Sequence, residues 1–273
     1  MNDFLKKIIS ERRLAINEAK KNIPAADLRE AANSRPPARS LLARLGAEPA
    51  GKRANIIAEM KRASPSEGTL RPDLNPAGLA REYEMAGAAA ISVLTEPRYF
   101  SGLDADLQEA KNAVKIPILR KDFTVDPWQV YQSAVLGADV ILLIVAALDQ
   151  PLLKELYAAA CETRLETIIE VHTLPELKTA LQFEKAIIGV NSRNLTTLKT
   201  DLAIAVKLAE YIPKERVAIA ESGIKSRSEI EQLMELGYRG YLIGTSLLKS
   251  DSPGEALKEL IGAQKKKLNH GLH

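Results

Sequence analysis

Asn55-Ile-Ile-Ala-Glu-Met-Lys61 is a short apolar run that closes on charge, and the chain repeats that design. Further runs rich in Ile, Val and Leu occupy residues 89–94, 117–121, 139–145, 167–171, 186–191, 216–221 and 240–244. Runs of this length and composition predict buried strands. Between them lie amphipathic stretches at 76–86, 127–136, 150–161, 174–182, 202–211 and 227–236, which predict helices. Gly87, Gly137 and Gly237 stand where helices would end, and Asp126-Pro127 and Thr173-Leu-Pro175 where they would begin. Eight strand-helix units in about 220 residues predict an α/β fold, a (β/α)8 TIM barrel. A doubly wound sheet would carry a GxGxxG turn after its first strand, and none follows Lys61.

Outward from this frame, residues 1–273 are expected to form one domain, with a helical extension at 1–50 and the barrel at 54–262. Leu5, Ile8, Ile9, Ile16 and Ala19 recur at helical spacing, so a helix is predicted over 4–20, followed by a looser, extended connection around Arg35-Pro-Pro37. The extension is expected to pack on the barrel.

Composition narrows the function classes. The 273 residues are 46% hydrophobic and 27% charged, enough for one large core. The lone Cys161 permits no internal disulfide, which favours a reducing, cytoplasmic compartment, and the N-terminus lacks the apolar stretch of a signal peptide. The strongest apolar run, 140–148, is about half the roughly 18 residues of a membrane span, so no membrane association is expected. With 38 Lys+Arg against 35 Asp+Glu and 4% aromatics, no nucleic-acid partner is expected, and the Lys265-Lys-Lys267 tail is read as a solvated end. His172 is remote in sequence from His270 and His273, so no metal site is expected.

In a TIM barrel, the C-terminal ends of the strands converge on one mouth. Glu59 and Lys61 share parity and point inward together. Desolvating such a pair is costly, which favours a functional role. Lys121 closes the third run, and a lysine beside Lys61 would have a lowered pKa. Glu170 closes the fifth run as a candidate base, with an ion pair to Lys121 as its structural alternative. Asn191 and Arg193 share parity after the sixth. Ser222-Gly223 and Gly244-Thr245 end the last two, where barrels commonly bind phosphate. Arg98-Tyr-Phe100 either closes over an aromatic substrate or anchors its own loop. Trp128 reads as packing and Cys161 as inert.

Six ordered segments make the chain resemble the indole-3-glycerol phosphate synthase family. They are Ile57-Ala-Glu-Met-Lys-Arg-Ala-Ser-Pro-Ser66, Leu94-Thr-Glu-Pro-Arg-Tyr-Phe100, Leu119-Arg-Lys-Asp-Phe123, Gly189-Val-Asn-Ser-Arg-Asn-Leu195, Ala220-Glu-Ser-Gly-Ile224 and Gly244-Thr-Ser246. Thr245 replaces the serine common there. The resemblance implies a monofunctional lyase of tryptophan biosynthesis. It closes an indole ring in carboxyphenylamino-deoxyribulose phosphate with loss of carbon dioxide and water. It further implies Lys121 as the acid on the ketose oxygen, Lys61 as the partner of the substrate carboxylate, Glu170 as the acid/base for loss of the hydroxyl, and Glu59 and Asn191 as their support. Substrate contacts are implied for Arg193, Leu195, Ser222, Phe100 and Phe123, and a phosphate site for Ser64, Gly223, Gly244 and Thr245. No metal or organic cofactor is implied. A monomer is expected, and the N-terminal helix is expected over the mouth, so that loss of residues 1–45 would raise KM more than it harms folding.

Rival readings remain open at this level: a Schiff-base aldolase using Lys121 or Lys61, a phosphoribosylanthranilate isomerase, and a non-catalytic barrel that binds phosphorylated metabolites. The isomerase would be expected to use a cysteine at the mouth, and none is there. Simple phosphate binding needs no inward carboxylates.

Overall fold

The structure, a computed structural model, describes residues 3–47, 53–194 and 196–262. Eight parallel strands close into a barrel: β1 (Ile56–Met60), β2 (Ala90–Leu94), β3 (Ile118–Lys121), β4 (Val140–Ile144), β5 (Glu166–Val171), β6 (Ile187–Asn191), β7 (Ala218–Glu221) and β8 (Gly240–Ile243). Closure is made where β1 pairs with β8, Ile57 opposite Leu242, and with β2, Glu59 opposite Ser92. The (β/α)8 expectation is met, with strand ends shifted by a residue or two.

Strand parity divides the core in two. Ile56, Ala58, Met60, Ile118, Ile169, Val171, Ile188 and Val190 pack outward against the helices. Ile57, Leu119, Val140, Leu142, Ile168, Ile187, Ile219 and Leu242 fill the interior. Inward residues alternate with outward ones because successive side chains on a strand face opposite sides. Continuing the inward series toward the strand C-termini reaches Glu59, Lys121, Glu170, Asn191 and Glu221. The polar mouth is therefore the last interior layer of the same barrel.

The N-terminal segment keeps the non-helical connection around Arg35-Pro-Pro37 but flanks it with two helices that the sequence reading left out. It contains α1 (Asp3–Asn22), α2 (Ala25–Asn33) and α3 (Leu41–Gly46). The latter two are short, and α3 offers only Leu41 and Leu45 as a periodic apolar signal. Ser40 caps α3 by accepting from Ala43 N at 2.9 Å, and Glu166 at the start of β5 accepts from Leu41 N and Leu42 N, each at 2.8 Å. Leu41 and Leu45 are fully buried beneath the interior residues, closing the N-terminal end of the barrel. At the opposite end Arg12 of α1 donates to Asp122 at 2.8 Å, Lys20 pairs with Asp126 at 2.5 Å, and Glu11 accepts from Tyr99 Oη at 2.8 Å. The extension thus runs from mouth to base. Removal of residues 1–45 would take Leu41 and Leu45 out of the core as well as α1 off the mouth, so the extension bears on folding as well as on the site.

Helices Asp104–Ala113 and Pro253–Ile261, and a hairpin pairing Ala63–Ser64 with Gly68–Thr69 after β1, complete the frame. Among the described residues no helix is long and apolar enough to cross a membrane. Leu195, the Lys265-Lys-Lys267 tail, His270 and His273 lie outside the described residues.

Candidate active site

Buried ion pairs line the mouth. On β1, Lys61 Nζ stands 2.6 Å from Glu59 Oε1. Across the barrel Lys121 donates to Glu170 Oε2 at 3.1 Å and to Glu221 Oε2 at 2.5 Å. Glu59, Glu170 and Glu221 are 5%, 2% and 1% exposed, so these charges are held out of water. Such burial is rarely a route to stability, which makes this layer the candidate site.

The electrostatics reverse one expectation. Burial alone would lower the Lys121 pKa, but Glu221, Glu170 and Glu59 outweigh it, and the ammonium is held above its ordinary range. The lysine is not activated by a neighbouring cation, because Lys61 is matched by Glu59 and Lys121 by two carboxylates. For Glu170, burial acts upward, yet Lys121, His172 and a hydrogen bond from Asn191 bring its pKa below the usual carboxylate value. Glu221 goes the other way. Burial and the nearby Glu170 and Glu59 raise it to about 7 against the pull of Lys121.

Glu221 is the residue that the sequence reading passed over. It ends β7 with the parity of Glu170, and that parity was the signal available. Gly189 on β6 makes room for it, since a Cβ there would strike Glu221 Oε1 and Ile168. Gly244 plays the same part for Glu59, whose Oε1 would stand 2.8 Å from an added Cβ.

The remaining candidates form the rim. Arg193 donates through its backbone to Asn191 Oδ1 at 2.9 Å, and its guanidinium reaches Ser66 Oγ at 3.1 Å and Leu198 O at 2.8 Å, tying the loop after β6 to the loop after β1. Ser64, 8% exposed, lies in that latter loop. Ser222 and Gly223 both adopt left-handed backbone, with φ of 65° and 83°, a turn that a serine adopts only under constraint. Thr245 opens the short helix Thr245–Leu248 directly after Gly244. The Phe100 and Phe123 rings stand 6.5 Å apart. Phe100 is held by Glu96, whose carboxylate accepts from the backbone N–H groups of Arg98, Tyr99 and Phe100. Tyr99 packs edge-on against Phe4 of α1 at 5.4 Å, so Arg98-Tyr-Phe100 anchors its own loop to the extension. Trp128 is buried and donates to Ile23 O at 2.9 Å, and Cys161 is exposed on an outer helix.

Comparison with known proteins places the chain in a family. The family model described as indole-3-glycerol phosphate synthase matches residues 5–260. Curated proteins named indole-3-glycerol phosphate synthase from two strains of Acidithiobacillus ferrooxidans are each 40% identical over 260 residues, covering 95% of this chain and 99% of theirs. Among solved structures, thiamine phosphate pyrophosphorylase from Pyrococcus furiosus superposes with a TM-score of 0.57 at 17% identity, over 77% of this chain and 94% of that one, a likeness of fold alone. A match spanning the extension, all eight strands and the charged mouth makes this chain a member of the indole-3-glycerol phosphate synthase family.

Proposed function

We propose that the chain closes the indole ring of carboxyphenylamino-deoxyribulose phosphate, releasing carbon dioxide and water, as an indole-3-glycerol phosphate synthase of tryptophan biosynthesis. The observation that carries the residue roles is the Glu170-Lys121-Glu221 cluster, a cation fixed between two buried carboxylates at the end of three strands. Lys121 stays charged in this setting and is the proton donor to the ketose oxygen as the aromatic carbon attacks. Lys61 meets the substrate carboxylate, with Glu59 holding the ammonium in place.

Glu170, the acid/base for loss of the hydroxyl, takes the proton that leaves the methylene carbon and delivers it to the hydroxyl, which departs as water, and Asn191 orients it. Phe100 and Phe123 flank the aromatic ring. The phosphate lies against Ser64, Gly223, Gly244 and Thr245, with Arg193, Leu195 and Ser222 as neighbouring contacts. α1 docks on the loops that carry Phe100 and Phe123, and in doing so limits water access to the mouth. A cytoplasmic location, supported by the single exposed cysteine, and a monomeric state are part of the same proposal.

The test is the appearance of indole fluorescence from carboxyphenylamino-deoxyribulose phosphate with the intact protein and with Lys121→Ala. Product from the former alone supports the reading. A folded, phosphate-binding wild type that forms none rejects it in favour of a non-catalytic barrel. A borohydride-trapped adduct on Lys121 or Lys61 would instead favour an aldolase.

A further inference from the structure

His172 takes the next inward position after Glu170 on the β5 edge of the mouth. Its Nδ1 stands 3.3 Å from Glu176 Oε2, and its backbone N–H donates to that same oxygen at 2.7 Å. Its Nε2 is buried, makes no hydrogen bond among the described residues, and stands 3.4 Å from Glu170 Oε1. Glu170 therefore offers one oxygen to His172 and the other to Lys121. Side-chain exposure falls along the series, from 21% at Glu176 to 10% at His172 and 3% at Glu170. The arrangement leads from the edge of solvent to the reacting layer.

The reaction needs such a supply. Ring closure places one proton on the ketose oxygen, and departure of the hydroxyl as water takes a second. The methylene beside nitrogen returns one, while carbon dioxide leaves without any. Each turnover therefore draws one proton from outside.

We propose, on the basis of the function assigned above, that His172 is a positioning residue that returns the missing proton to the Glu170-Lys121 pair, with Glu176 fixing its tautomer. The Nε2–H bond breaks as an Oε1–H bond forms on Glu170. The carboxyl, turning about its Cγ–Cδ bond, passes that proton to the neutral Lys121 amine. Nδ1–H remains on Glu176 throughout, and Nε2 takes its replacement proton from hydronium or a protonated buffer that reaches the mouth as product leaves.

The groups facing the imidazole support its charged form. Burial acts against the charge, but Glu176 on the following helix, Glu170 on β5 and Glu221 on β7 together raise its pKa above the ordinary histidine value. Lys121, the other charge in the cluster, is spent on the two inner carboxylates.

The experiment measures kcat and KM from pH 5.5 to 8.5 for wild type, His172→Gln, His172→Ala and Glu176→Gln by product fluorescence. His172→Gln keeps an N–H donor but cannot titrate. We expect its kcat to fall at least about tenfold with KM nearly unchanged, the size of a lost proton-transfer group. The wild-type limb that falls with rising pH should vanish in His172→Gln and move to lower pH in Glu176→Gln, and added imidazole should restore His172→Ala. An active wild type with an unaltered His172→Gln profile, or a loss of kcat with the wild-type pH shape and no rescue, overturns the relay while leaving the assigned function standing. A wild type that forms no product overturns that function, and the relay with it. If the His172 variants fail to fold, the pH shift in Glu176→Gln decides alone, and its absence counts against the proposal.

Discussion

Lys121 Nζ and Glu221 Oε2 stand 2.5 Å apart at the ends of two strands 100 residues apart in sequence, and Glu221 is raised to about 7 even with that ammonium beside it. Desolvation and the adjacent Glu170 outweigh the attraction. The pair sets the charge of the reacting layer near neutral pH.

Lys121→Ala should lower kcat by about 10²–10⁴-fold, the range for a positioned proton donor, and change binding of a substrate analogue by less than about tenfold. Stopped-flow turnover and calorimetric binding on the same preparations check this. Lost affinity with full chemistry at saturation would contradict the assignment.

Glu221→Gln gives a pH signature in stability. A carboxyl whose folded pKa lies above its unfolded value binds more protons in the folded state between the two, so its contribution declines as pH rises from about 4.5 to about 7. The stability difference, wild type minus Glu221→Gln, should fall across that window and level off above it. Denaturant melts at half-unit pH intervals measure it, and a difference that rises with pH would show that Glu221 is ionised in the folded state.

Gly189→Ala places a methyl group against Glu221 Oε1 and 2.7 Å from Ile168 Cγ2. Crowding should cost about 1–3 kcal/mol of stability. Displacement of Glu221 should also reduce kcat more than KM. Melting temperature and steady-state kinetics together separate the two effects.

The two ends of the extension should respond differently. Leu45→Ala hollows the buried plug and should destabilise by about 2–5 kcal/mol with kcat unchanged in the folded fraction. Arg12→Met removes the guanidinium from Asp122, which keeps Thr95 Oγ1 and Phe123 N as donors, and should cost about 1.5–3 kcal/mol and raise KM. Urea unfolding and KM measurements on both variants check the division, and a Leu45→Ala variant with impaired kcat would refute it.

Local pattern alone determined the barrel, because period two in the strands and helical spacing between them are properties of neighbouring residues. It also named Glu59, Lys61, Lys121, Glu170 and Asn191, since a charged or amide group ending an apolar run is visible without a neighbour. The charge states of Lys121 and Glu170 were decided by tertiary structure. A pKa depends on what lies across the barrel, and Lys121 meets Glu221 only after closure. α3 escaped notice for the same reason: two leucines in a six-residue helix carry little periodicity, and their meaning comes from the open barrel end they fill.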